Sequence, residues 1–131
     1  EINQVIERGR KGAVLVSFGS LAETEKIADY RLEAIINSFK SFPEYEFLWK
    51  FVPKTENQKM MFENASNVHT FEWLPQSDVL SHNATKAFVS HCGVNSIIEA
   101  TEAGIPIVAL PLFGDQNTNA ASLRNMVIEL L

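Results

Sequence analysis

Apolar residues in this sequence come in short unbroken runs, separated by stretches where they recur every three or four positions. Ala13-Val14-Leu15-Val16-Ser17-Phe18 is one such run, closed by Gly19-Ser20, and predicts a buried strand followed by a turn. From Glu23 to Ser41, the residues Ala28, Leu32, Ile35, Ile36 and Phe39 share one face of a predicted helix that ends before Pro43. Glu46 to Val52 predicts a second strand, stopped by Pro53. Residues Thr55 to Ser66 are polar and read as a loop or a short helix. Val68 to Trp73 predicts a third strand, and Ser77-Asp78-Val79-Leu80 a single helical turn capped by Ser77. Lys86 to Ser90 predicts strand four. Asn95 to Ala103 predicts a helix closed by Gly104 in the left-handed conformation, with Pro106 beyond. Ile107-Val108-Ala109-Leu110 predicts strand five, and Ala120, Leu123, Val127 and Leu130 space out a last helix from Asp115 onward.

Unbroken apolar strands alternating with helices imply an α/β fold, a Rossmann-like parallel sheet covered by helices on both faces. The length of 131 residues fits one such domain, residues 1–131. With 46% hydrophobic and 21% charged residues, the chain has the material for a core and not the composition of a disordered segment. A net charge of −5 disfavours nucleic acid and anionic membrane surfaces as partners. The single cysteine, Cys92, excludes an internal disulfide framework and any multi-cysteine metal site. No stretch approaches the ~20 apolar residues of a membrane span. Opening on Glu1-Ile2-Asn3-Gln4, the chain reads as a piece of a longer protein.

In sheets of this kind, ligands sit outside the carboxyl ends of the strands, where helix N-termini point. His91-Cys92-Gly93-Val94-Asn95-Ser96 follows strand four and feeds directly into a helix. Gly93 has no side chain to hold a ligand off the backbone, Asn95 or Ser96 suits the cap, and the first free N–H groups would favour a pyrophosphate. His91 adds a hydrogen bond or a charge. Glu99, four residues after Asn95, lies one turn further along and suits a pair of ribose hydroxyls. Taken alone, these residues are better explained by ordinary capping chemistry and a solvated glutamate, since cap residues occur on almost every helix. Trp73 ends strand three at the same sheet edge, where an indole can stack on a nucleobase and Gln76 can read its polar atoms; core packing is the plain alternative for a lone Trp. Ser20 and the pair Asp115-Gln116 complete the edge. The dinucleotide and phosphate-loop glycine motifs are both missing from the first strand. His69, expected to be exposed, and His82, expected at a loop, lack partners at metal spacing, and Cys92 reads as a small buried residue.

Trp73-Leu74-Pro75-Gln76, then His91-Cys92-Gly93-Val94-Asn95-Ser96 with Glu99, then Asp115-Gln116, together resemble the signature of the UDP-glycosyltransferase family. Pro111-Leu112-Phe113-Gly114 with Asn119-Ala120, Phe18-Gly19-Ser20 and Leu48-Trp49-Lys50 are similar to its animal, glucuronosyltransferase-type members. The resemblance implies the C-terminal half of a GT-B glycosyltransferase. It implies that Trp73 stacks on uracil and Gln76 contacts the uridine. His91, Gly93, Asn95 and Ser96, with Ser20, would hold the diphosphate. Glu99 would take the ribose hydroxyls, and Asp115 with Gln116 the donor sugar. Three departures stand out: Cys92 replaces a common Gly, Val94 the Trp of plant members, and Lys50 a common Arg, whose bidentate geometry Lys lacks.

By the same resemblance, the parent enzyme is inverting and transfers a sugar from UDP-glucuronate or UDP-glucose to a small lipophilic acceptor. It needs no cofactor and no metal. Its general base and its acceptor pocket lie on a preceding domain, so no catalytic residue is assigned here. The parent would be anchored by a segment beyond Leu131 in the endoplasmic-reticulum membrane, facing the lumen. A non-catalytic UDP-sugar-binding or partner module of the same fold is the alternative, and a UDP-sugar epimerase accounts less well for the Trp73-to-Gln116 pattern. Asn64-Ala65-Ser66 and Asn83-Ala84-Thr85 match the N-glycosylation pattern.

Overall fold

The computed structural model describes residues 1–19 and 24–110. In chain order the elements are α1 (Ile2–Arg8), β1 (Gly12–Ser17), α2 (Asp29–Lys40), β2 (Tyr45–Lys50), α3 (Glu56–Glu63), β3 (Val68–Phe71), α4 (Gln76–Ser81), β4 (Thr85–Ser90), α5 (Val94–Ala103) and β5 (Ile107–Ala109). The five strands form one sheet in the order β3-β2-β1-β4-β5, every pair parallel. Chain direction across the sheet reverses between β1 and β4, the switch point at which such sheets bind ligands.

The unbroken apolar runs are explained by two cores, one on each face of the sheet. Alternate residues Val14, Val16 and Phe18, then Phe47, Trp49 and Phe51, pack with Val89 against Leu32, Ile36 and Phe39 of α2 and Phe62 of α3. The residues between them, Ala13, Leu15, Leu48 and Phe88, pack against Val5 and Ile6 of α1, Val79 and Leu80 of α4 and Ala100 of α5. A strand buried on both sides has no room for polar alternation. Trp49 is fully buried, with the rings of Phe18, Phe39, Phe51 and Phe62 at 5.4–5.6 Å between centroids. Edge-on aromatic contacts of this kind add to the area that the ring removes from water. Over β4 and β5, no described helix covers the first face. A groove of about 620 Å³ runs there between α2 and the sheet, lined by Ile35, Phe39, Ala87, Val89, Val108 and Leu110.

Several expected boundaries move. Of the helix expected from Glu23 to Ser41, the described part begins at Asp29, and its first expected apolar position, Ala28, is the exposed N-cap. β2 ends at Lys50 rather than Val52, and β3 at Phe71 rather than Trp73. The polar stretch from Thr55 resolves into helix α3, whose first turn Thr55 caps by accepting from the Gln58 N–H. Ser77 does not cap α4: it lies inside the helix, and Pro75 occupies the cap without a side-chain bond. α1 was not anticipated, although Ile2, Val5 and Ile6 have helical spacing. Gly104 closes α5 at φ +71, in the left-handed conformation expected of it. The last expected helix, from Asp115, lies outside the described residues.

Candidate functional site

Because all strands are parallel, their carboxyl ends share one edge, and β1 and β4 meet there with Ser17 opposite Ser90. Both serines are buried, and the Ser90 hydroxyl accepts a hydrogen bond of 3.1 Å from the Cys92 N–H. That bond turns the chain sharply as it leaves the sheet. Cys92 sits in the turn at φ +65, in the left-handed region that favours glycine, with its side chain fully buried. The resemblance places a common glycine at this position, and the backbone angle gives a physical reason for one. Burial pushes the Cys92 thiol above its ordinary value, so the group is a neutral packing element here.

The turn delivers His91 and Gly93 to the start of α5. His91 is 9% exposed, and its Nδ1 has no hydrogen-bond partner among the described residues. The ring lies directly over Gly93: a Cβ at residue 93 would stand 2.6 Å from His91 Nε2. Glycine at this site is therefore fixed by close approach of an imidazole, and its φ of −64 suits any residue.

Gly93 is the N-cap of α5 and supplies no side-chain cap bond. Asn95 and Ser96, expected to cap, are instead within the first turn; Asn95 is exposed and Ser96 is buried. The first intrahelical bond runs from the Ile97 N–H to the Gly93 carbonyl at 3.1 Å. The N–H groups of Val94, Asn95 and Ser96 thus have no acceptor within the helix and carry its positive dipole end. Among the described residues, the sheet edge therefore holds a helix terminus without a side-chain cap beside a buried imidazole.

The loop Glu72–Pro75 returns the chain from β3, at one edge of the described sheet, to α4, which packs beside α5. There Gln76 Nε2 donates to Glu99 Oε2 at 2.8 Å, so the two residues expected to bind uridine meet directly. Glu99 is half-buried and oriented by this bond, unlike a freely solvated carboxylate. Trp73 is 69% exposed, which rules out the core-packing role for it. Ser20, Asp115 and Gln116 lie outside the described residues. The structure thus joins His91 to Gly93 and Gln76 to Glu99, and leaves Trp73 and Asn95 open at the same edge.

His69 is not exposed as expected. It is half-buried on β3 and paired through Nε2 with Glu46 of β2, away from this edge. His82 caps the end of α4, and its Nδ1 accepts from the Ala84 N–H, as a loop histidine would. Among the described residues, no group of three His, Cys, Asp or Glu side chains is placed to hold a metal ion. Ser90 was missed by sequence reasoning; the signal available was a polar residue closing an otherwise apolar strand.

A parallel sheet in the order β3-β2-β1-β4-β5, with the first turn of α5 at its switch point, defines a Rossmann-like type of α/β domain. The chain belongs to the UDP-glucoronosyl and UDP-glucosyl transferase family, whose model matches residues 1–128. It is 37% identical over 125 residues to the ecdysteroid UDP-glucosyltransferase of Autographa californica nuclear polyhedrosis virus, which covers 95% of this chain and 24% of that protein. It is 36% identical over 116 residues to UDP-glucuronosyltransferase 2B16 of Oryctolagus cuniculus, covering 88% of this chain and 21% of that protein. The chain therefore spans a quarter or less of these curated relatives' length.

Among solved structures, Medicago truncatula UGT71G1 complexed with UDP-glucose matches at 29% identity and a TM-score of 0.68, over 90% of this chain and 26% of that one. Os79 from O. sativa in complex with UDP matches at 28% and 0.68, over 95% of this chain and 28% of that one. The fold is that of the GT-B UDP-glycosyltransferases.

Proposed function

We propose that this chain is the donor-binding part of an inverting UDP-glycosyltransferase that uses UDP-glucuronate or UDP-glucose. The observation that carries the proposal is the α5 terminus: among the described residues, three N–H groups have no helical acceptor, the cap residue Gly93 supplies no side-chain bond, and the Nδ1 of buried His91 has no partner. A diphosphate satisfies such donors and is stabilised by the dipole. In this reading His91, Gly93, Asn95 and Ser96, with Ser20, hold the diphosphate. Trp73 stacks on uracil, and Gln76 orients Glu99 toward the ribose hydroxyls. Asp115 and Gln116 hold the sugar. The complexes of UGT71G1 with UDP-glucose and of Os79 with UDP support the ligand class.

Inversion requires an acceptor oxygen to attack C1 of the sugar while the C1–O bond to the diphosphate breaks. The bonding electrons go to the β-phosphate oxygen, and negative charge grows there. The α5 donors are already in place, so they interact more strongly with the departing diphosphate than with the bound donor. That gain needs no metal. The acceptor proton goes to a base on the preceding domain, which also shapes the acceptor pocket for a small lipophilic molecule. The parent is placed in the endoplasmic-reticulum membrane with this domain in the lumen; no described helix here is long and apolar enough to cross a membrane.

Calorimetric titration of the folded chain with UDP tests the proposal. Saturable heat is expected, and no heat at millimolar UDP would overturn it. With UDP-sugar alone, the isolated chain is expected to turn over nothing.

A further inference from the structure

We propose that Asn64 is an N-glycan acceptor, at the pole of the sheet opposite the donor edge. The inference rests on the lumenal placement proposed above. Asn64-Ala65-Ser66 forms the turn between α3 and β3, and therefore lies at the amino end of a parallel strand. The carboxyl ends, with His91 and Gly93, are at the other pole.

The turn is rigid but its acceptor is open. The Asn64 N–H closes α3 by bonding to Met60 O, and Ala65 is buried in the core. Two residues on, the buried Asn67 amide donates to the carbonyls of Phe39, Phe42 and Tyr45 at 3.0–3.2 Å. Between these anchors the Asn64 side chain is exposed, and so is Ser66, the residue whose hydroxyl completes the recognition pattern. Among the described residues, a glycan here displaces no packed side chain and lies at the pole opposite His91 and Gly93.

The second sequon makes the contrast. Asn83 is exposed at the same pole, but Thr85 is 3% exposed and its hydroxyl donates to the Val79 carbonyl. Once β4 has formed, that hydroxyl is committed, whereas Ser66 stays accessible before and after folding. Asn64 is accordingly the more fully modified of the two. The co-reactant is a lipid-diphosphate-linked oligosaccharide. The Asn64 Nδ2 bonds to C1 of its first sugar, the C1–O bond to the diphosphate breaks, the lipid diphosphate leaves, and an amide proton passes to the transferase's base.

The test uses the full-length gene product in intact microsomes from a eukaryotic host. Glycans are released with peptide N-glycosidase in heavy-oxygen water, which converts each occupied Asn to labelled Asp, and peptides are read by mass spectrometry. Protease protection is scored on the same microsomes. The expected result is a protected domain with Asn64 labelled, more fully than Asn83. Ser66→Ala should abolish the label at Asn64, Ser66→Thr should keep it, and neither should change UDP affinity. A protected domain with Asn64 unlabelled overturns this inference and leaves the lumenal placement standing. A domain digested in intact microsomes overturns both. Higher occupancy at Asn83 than at Asn64 overturns the contrast drawn from Thr85.

Discussion

Gly93→Ala isolates the contact on which the donor edge is built. The added Cβ would lie 2.6 Å from His91 Nε2 and 3.0 Å from Cε1, with no closer clash from the backbone. At φ −64 and ψ 146, alanine itself is unstrained. The cost therefore comes from displacing a buried ring, and overpacking of this kind costs about 1–3 kcal/mol. In a His91→Ala background the clash is gone. Gly93→Ala then keeps only the weaker N-cap preference of alanine, about 0.5 kcal/mol. The two substitutions should thus show a coupling of about 1–2 kcal/mol in a double-mutant cycle. Urea denaturation of chain 1–131, followed by circular dichroism at constant slope, measures all four corners. Equal cost of Gly93→Ala with and without the imidazole would refute the contact. In calorimetry, the single variant should also bind UDP more weakly, because the displaced ring moves into the space before α5.

Trp73→Ala should leave stability within about 0.5 kcal/mol, since the side chain is 69% exposed. UDP affinity should fall about 5- to 150-fold through lost stacking, with pyrophosphate binding unchanged; equal UDP affinity would remove Trp73 from the site. Glu99→Ala should abolish discrimination between UDP and 2′-deoxy-UDP in competition titrations, and retained discrimination would exclude Glu99 as the ribose contact. The exposed pair Lys11–Glu44, 2.7 Å apart, makes a small, pH-dependent contribution to stability. Its hydrogen bond to Lys11 lowers Glu44 from 4.5, so that contribution is present above 4.5 and lost as pH falls through the lower folded value. The same bond raises Lys11 from 10.5, so that contribution is present below 10.5 and lost as pH rises through the higher folded value. Thermal melts should show slightly shallower slopes at both extremes in Lys11→Met than in the wild type, and identical slopes would remove the pair from the balance.

The strands were legible because burial on both faces leaves an apolar run that few other arrangements require. Their ends were less so: Phe51 is buried beyond the end of β2, and apolarity alone marks burial rather than pairing. Caps misled for a related reason. Ser77, Asn95 and Ser96 are good capping types, but the chain enters α4 through Pro75 and α5 through Gly93, where the approach of His91 decides the residue. α1 was too short to stand out from the polar residues around Ile2, Val5 and Ile6. His69 was misplaced because its partner, Glu46, is on the neighbouring strand and far away in sequence. At the site, residue types and spacing pointed to Gln76 and Glu99 separately; only the return of the chain through α4 makes them one unit. The role of Ser90 depends on a turn conformation that no residue pattern announced.

The order of strands also sets the order in which this domain can assemble. β1 can pair with β2 soon after α2 forms, but its other edge waits for β4: Ala13 meets Thr85, and Ser17 meets Ser90. Closing so long a loop is slow, and a form holding only β1, β2 and β3 already buries most of one core. Such a half-folded form has no donor edge at all, because His91 and Gly93 have yet to reach Ser17. Any ligand of that edge therefore binds the complete sheet alone and draws the final docking step forward by mass action. Hydrogen exchange along β4 is where that linkage becomes visible: ligand should slow it there more than along β3.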